Sequence, residues 1–152
     1  MIYILSGIAG IGKSTYINKI KNDNDIIISR DAIRFSLLKE GEDYFSKEDE
    51  VLRTFFNTIR KETTNYDNSY DIYIDATHLT PKARKKVINK INKDQKSNIA
   101  CMYFNPDLHK ALSQNNNREG LALVPKSAII NQYKCFEIPT EDEGFCKIIE
   151  IK

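Results

Sequence analysis

Gly7, Gly12, Lys13 and Ser14 stand in the spacing G-x-x-x-x-G-K-[ST], within the stretch Gly7, Ile8, Ala9, Gly10, Ile11, Gly12, Lys13, Ser14, Thr15. Glycines at this spacing let backbone N–H groups turn inward and cradle the α- and β-phosphates of a nucleoside triphosphate. Lys13 can reach the β/γ oxygens, and the Ser14 hydroxyl is placed to ligate Mg²⁺. An apolar run, Ile2 to Leu5, precedes the loop, and a segment able to be helical follows it from Lys13. A helix starting there turns its positive end toward the anion.

A second group is Ser29-Arg30-Asp31-Ala32-Ile33-Arg34, just after the short apolar run Ile26–Ile28. In an open parallel sheet, sites gather beyond the carboxyl ends of the strands. Asp31 then faces the same crevice as the phosphate loop, where a carboxylate can take the proton of an attacking hydroxyl. Arg34 follows one helical turn later and could clamp a phosphate of the acceptor. A third candidate is Arg118, in a polar stretch between two helical segments. Such a stretch can close as a lid and bring a guanidinium to the transferring phosphoryl. Asp75 ends the run Ile72-Tyr73-Ile74 and can hold Mg²⁺ through water or anchor a mobile arginine.

The elements that must position these groups alternate between two patterns. Strands are expected at Ile2–Leu5, Ile26–Ile28, Tyr70–Asp75, Ile99–Phe104 and Phe145–Ile151. Helices are expected from Lys13; from Asp31 as a cap; after a Ser46/Asp49 capping box; from Thr80-Pro81; from Pro106; and from Pro125. Gln114–Asn117 is expected to be a mobile polar loop. Strand–helix alternation implies right-handed crossovers and a parallel sheet between helices. The chain, 152 residues, fits a single domain over 1–152 with a mobile lid roughly at 113–124.

Composition narrows the function classes. The net charge is only +2, so any nucleic-acid contact has to be a local patch. Lys82, Arg84, Lys85, Lys86, Lys90 and Lys93 cluster on one helix, opposite Ala83, Val87 and Ile91, as a solvated face would place them. Cys101, Cys135 and Cys146 lack metal or redox spacing and read as reduced, mostly buried thiols. No apolar run is long enough to span a bilayer or make a leader, and a cytoplasmic protein without a membrane partner is expected. A regulatory GTPase is disfavoured, because Asn92-Lys93-Asp94 brings its acid one residue early for N-K-x-D. The dinucleotide fingerprint fails at Thr15, where a third glycine belongs.

Taken in order, the phosphate loop, Arg30-Asp31, Asp75-Ala76-Thr77, Arg118, Val124-Pro125 and the closing Phe136-Glu137-Ile138-Pro139-Thr140 with Glu143-Gly144-Phe145 resemble the polynucleotide 5′-hydroxyl kinases of phage and eukaryotic end healing. The resemblance covers nearly the whole chain. It implies ATP and Mg²⁺ as cofactors and a nucleic acid 5′-hydroxyl end as substrate. It implies Asp31 as general base, Arg34 on the neighbouring phosphate, and Lys13 and Arg118 on the transferring phosphoryl. Ser14 would bind the metal, Asp75 and Thr77 would support the lid or the metal, and Pro139 would flank the adenine. Asn115–Asn117 stand where the family's lid often carries a second arginine, and no phosphatase domain is expected. The fold expected is an α/β P-loop kinase: an open parallel sheet of about five strands in the order 2-3-1-4-5, helices on both faces, and a lid. Two alternatives stay open: a small-molecule kinase of the same fold, acting on a sugar, nucleoside or nucleotide-sugar, and an ATP-binding switch without transfer. Asp31 weighs against the switch, which needs no base.

Overall fold

The computed structural model describes residues 1–152. Five strands, β1 (Ile2–Ser6), β2 (Ile26–Ser29), β3 (Ile72–Asp75), β4 (Ile99–Phe104) and β5 (Lys147–Ile151), form one parallel sheet in the order β2-β3-β1-β4-β5. Six helices connect or cover them: α1 (Lys13–Ile20), α2 (Arg30–Leu37), α3 (Glu48–Thr64), α4 (Pro81–Ile88), α5 (Leu108–Asn116) and α6 (Lys126–Cys135). Both faces of the sheet are covered, which is why the central strands are apolar almost throughout. One face packs Ile2, Ile4, Ile72, Ile74 and Ile99 with Phe55, Ile59 and Val87. The other packs Leu5, Tyr73, Met102 and Phe104 with Ile17, Ala111 and Ile129.

Register does the positioning. Ser29 of β2 pairs with Asp75 of β3, so β2 hands over to Asp31 at the level where β3 delivers its terminal acid. The phosphate loop leaves β1 at that same end of the sheet, at the crevice between diverging connections.

Local chemistry departs from expectation in several places. Ser29, not Asp31, caps α2: its side chain accepts from the Ala32 N–H, leaving the Asp31 carboxylate unused by the helix end. The Ser46/Asp49 capping box does not form. Ser46 Oγ donates to the Asp43 carbonyl in the preceding turn, and α3 starts at Glu48. Gln114 to Asn116 finish α5 instead of forming a mobile loop, and Asn115 is buried. Arg84 does not belong to a solvated face. It is fully buried and pairs with Glu143 at 2.7 Å. Of the three free cysteines only Cys101 is buried. No helix is long and apolar enough to cross a membrane.

Candidate phosphotransfer site

Gly10 and Gly12 carry the loop. Both have positive φ, 82° and 104°, which L side chains rarely adopt. At Gly10 a Cβ would also lie 2.5 Å from the Ala111 carbonyl oxygen, so only glycine lets the loop rest on α5. The rest of the cradle is tied down. Gly7 N–H donates to the Thr77 carbonyl at 2.9 Å, and Ala9 N–H to Gln132 Oε1 at 2.8 Å. Lys13 folds back over the loop and donates to the Gly7 and Ile8 carbonyls, at 2.9 and 3.0 Å. Ile8 and Ile11 turn their side chains into the core, leaving their backbone to the loop.

Ser14 Oγ donates to Asp75 Oδ2 at 2.8 Å. Burial pushes the Asp75 carboxyl up from its ordinary value, opposed by the Lys13 charge and the Ser14 hydrogen bond. Burial pulls the Lys13 ammonium down, opposed by Asp75 and Asp31 and reinforced by Arg118. An anion seated in the loop would raise it again. No group of three or more His, Cys, Asp or Glu side chains gathers anywhere in the chain. Ser14 Oγ and the Asp75 carboxylate are oxygen donors of the kind that Mg²⁺ takes, one or two from the protein, beside water and phosphate oxygens.

Asp31 sits at the centre of a cluster that the sequence did not reveal. Its Oδ1 accepts from the Tyr44 hydroxyl at 3.0 Å and is paired with Arg34. The Asp31 side chain remains 51% exposed, so a second oxygen can be reached from the cavity. Arg34 is buried and its donors are occupied. Nη2 donates to Glu48 Oε1 at 2.8 Å, and Nη1 to the Tyr44 oxygen at 3.0 Å. The guanidinium also lies over the Tyr44 ring, 4.5 Å from its centroid. Burial alone would lower the Arg34 pKa, but the Glu48 hydrogen bonds and the charges around it raise it. Burial, then the Asp31 charge, pushes the Tyr44 hydroxyl up, so it stays a donor. Arg30 shares Glu48, with Nε at 3.0 Å. Arg34 thus braces Asp31 and Tyr44, and would meet an acceptor phosphate only by releasing one of these partners.

These groups line one cavity of about 270 Å³. Lys13, Ser14 and Thr15 face it from the loop, Asp31, Arg34 and Tyr44 from α2 and its sequel, and Asp75 and Thr77 from β3 and beyond. Arg118 completes it from the 117–123 segment. Its guanidinium makes no ion pair or side-chain hydrogen bond, although its charge is felt at Lys13, Asp75 and Tyr44. Asn115 pins the far end of that segment: its side chain donates to the Val124 carbonyl at 2.8 Å and accepts the Val124 N–H at 3.0 Å.

Pro139 is the expected site residue that lies elsewhere. It is buried and lines neither this cavity nor the groove on the other side of the loop. The closing segment is instead a brace. Arg84 donates to the Glu137 and His78 carbonyls at 3.1 and 3.0 Å, and Glu137 N–H donates to the Leu79 carbonyl at 2.8 Å. The segment holds the Thr77–Leu79 turn, whose Thr77 carbonyl holds Gly7. The groove beside the loop, about 930 Å³, is lined by Thr15, Tyr16 and Lys19 with His109, Lys110 and Tyr133.

The sheet order, the glycine-bearing loop closed by Lys13 and Ser14, and the acid at the end of β3 define a P-loop kinase-like nucleotide-binding domain. Residues 2–139 match the family described as an AAA domain (AAA_33), and the chain belongs to it. Among solved structures, Kti12 of Chaetomium thermophilum in complex with ADP-AlF3 is similar at TM-score 0.68 and 12% identity, over 99% of this chain and 88% of that one. A sugar kinase of Janibacter sp. is similar at TM-score 0.66 and 14% identity, over 98% and 84%. A chain of the Pnkp1/Rnl/Hen1 complex is similar at TM-score 0.57 and 18% identity, over 74% of this chain. This chain spans 38% of the length of that protein. At such identities the likeness is one of fold.

Proposed function

We propose that this chain transfers the γ-phosphoryl of ATP to the 5′-hydroxyl of a polynucleotide, with Mg²⁺ held at Ser14 and Asp75. The observation that carries the reading is the single cavity into which Lys13, Ser14, Asp31 and Arg118 all project. Loop N–H groups and Lys13 hold the β- and γ-phosphates, and a Mg²⁺ bound at Ser14 and Asp75 would balance their charge. The nucleoside of the donor lies in the groove between Tyr16 and Tyr133. Asp31, fixed by Tyr44 and Arg34, orients the acceptor hydroxyl in line with the γ-phosphorus and accepts its proton. The acceptor oxygen bonds to phosphorus as the bond to the β–γ bridging oxygen breaks, and ADP leaves. Lys13 and Arg118 stabilise the charge on the transferring phosphoryl. The choice of a polynucleotide over another hydroxyl acceptor rests on the order and spacing of the motifs from Arg30-Asp31 to Glu143-Gly144-Phe145.

The test is transfer of label from γ-labelled ATP, with Mg²⁺, to a panel of acceptors. It contains a 5′-hydroxyl DNA oligonucleotide, the RNA equivalent, nucleosides and hexoses. Label on either oligonucleotide, and none on one already bearing a 5′-phosphate, supports the reading. Label confined to nucleosides or sugars overturns the acceptor class and keeps the kinase. Nucleotide binding with no acceptor labelled overturns the kinase.

A further inference from the structure

A second hollow, of about 410 Å³, opens between α3 and α4 and adjoins the phosphate cavity, with which it shares Arg30, Thr77 and Leu79. Its walls divide by chemistry. Helix α3 contributes Leu52 and Phe56, both part-exposed. Helix α4 contributes Lys82 and Lys86, one turn apart, exposed and in no ion pair. Arg30, paired with Glu48, is a third cation of the hollow, and no carboxylate is among the lining residues, whereas the phosphate cavity includes Asp31 and Asp75. Lys85, on the same helix, does not line it, so the solvated lysine face divides into a part that serves this hollow and a part that does not.

Independently, His78 lines the hollow and carries the one buried side-chain polar atom of the protein that has no partner. Its Nδ1 lies 2.6 Å from the Leu5 carbonyl and must donate there. Nε2 of the neutral ring is then a bare lone pair, in need of a donor that no protein group supplies. An apolar aromatic wall and an opposing cationic wall match two faces of a nucleotide, its ring and its phosphate, while His78 Nε2 is enclosed beneath them with no surface open to solvent.

We propose that this groove seats the acceptor strand, as single-stranded nucleic acid. The nucleotides following the 5′ end lay their bases on Leu52 and Phe56 and their phosphates against Lys82 and Lys86, while the 5′-hydroxyl passes Arg30 to reach Asp31. The proposal rests on the reading of the acceptor as a polynucleotide and adds the site that would make a longer strand a better substrate than a single nucleotide.

The test uses the full chain and the variant Lys82→Glu/Lys86→Glu, whose changes are on the surface. Binding of a fluorescein-labelled 5′-hydroxyl dodecamer is followed by anisotropy across a salt series, and transfer is measured with the dodecamer and with a nucleoside 3′-monophosphate. The variant is expected to bind the dodecamer at least tenfold more weakly, and the slope of log affinity against log salt should fall by about 1.4, for two lost phosphate contacts. KM for ATP and turnover of the mononucleotide should not change. An unchanged dodecamer affinity and salt slope, or an equal loss on the mononucleotide, overturns the groove while leaving the kinase reading intact. If the wild-type protein labels no oligonucleotide, the kinase reading fails and anisotropy alone decides the groove. Wild-type binding that the variant loses upholds it, and no wild-type binding overturns it.

Discussion

Tyr44 meets Asp31 from thirteen positions along the chain, and the hydroxyl it donates fixes a carboxylate that lines the cavity. Removing that hydroxyl leaves Asp31 and Arg34 in place but lets the carboxylate rotate. Tyr44→Phe is expected to lower kcat about ten- to a hundredfold, the equivalent of one hydrogen bond to a charged group, with KM for ATP unchanged. Steady-state kinetics with the acceptor saturating checks this; an unchanged kcat would show that Tyr44 merely packs. The phosphate-loop residues, Asp31 and Asp75 were legible because their chemistry follows from residue type and local spacing. Tyr44, Glu48 and Gln132 were not, because each meets the site through a fold-dependent contact over many residues. His78 gives a second prediction at this scale. Burial pushes its pKa down to about 4 from 6.5. The unfolded chain therefore binds the proton that the native state refuses, and stability is lost as pH falls from about 6.5 toward 4. The loss at the acid end is on the order of 3 kcal/mol, at 1.36 kcal/mol per unit. Urea midpoints between pH 7 and pH 4.5 should fall less in His78→Gln than in the wild type; parallel curves would contradict the assignment.

At the scale of elements, caps and turns were the least legible features, because several polar residues competed for each one. Ser29 took the cap of α2 from Asp31, which freed the carboxylate for the cavity. Asn115 looked like part of a mobile polar run. Its amide in fact satisfies both backbone groups of Val124 and so fixes where the Arg118 segment re-enters the fold. Asn115→Ala leaves a buried N–H and a buried C=O without partners and is expected to cost about 2–4 kcal/mol in denaturant unfolding. Activity should fall further than the folded fraction explains, because Arg118 loses its anchor; a rate that simply tracks the folded fraction would separate Asn115 from the site. Gly10→Ala is expected to weaken nucleotide binding at least tenfold by isothermal calorimetry, since its Cβ would strike the Ala111 carbonyl and its φ of 82° is strained for alanine. Unaltered affinity would show that the loop can shift without consequence.

At the scale of the whole molecule, strand–helix alternation and the apolar central strands were enough to anticipate a parallel sheet between helices, while its order, β2-β3-β1-β4-β5, was anticipated only through the resemblance to P-loop kinases. The closing Phe136–Phe145 segment was visible as a motif but not as a job. Its Glu143 and Glu137 act through Arg84 on a turn distant in sequence, so the segment braces the phosphate loop from behind. Under the proposed function the molecule is organised around one division: donor groups would come from β1–α1, acceptor-side groups from β2–α2 and the α3–α4 groove, and Arg118 would span them. That division predicts that donor binding and phosphoryl transfer can be separated by a single atom change on the acceptor side. The direct test is a rapid-quench single turnover with γ-labelled ATP and a 5′-hydroxyl oligonucleotide, comparing wild type with Asp31→Asn, beside calorimetric affinities for the nucleotide. The expected result is a nucleotide affinity within about twofold of wild type and a transfer rate lower by at least about a hundredfold, the usual share of a general base. Transfer that persists in Asp31→Asn, or nucleotide affinity that collapses along with it, would contradict the account.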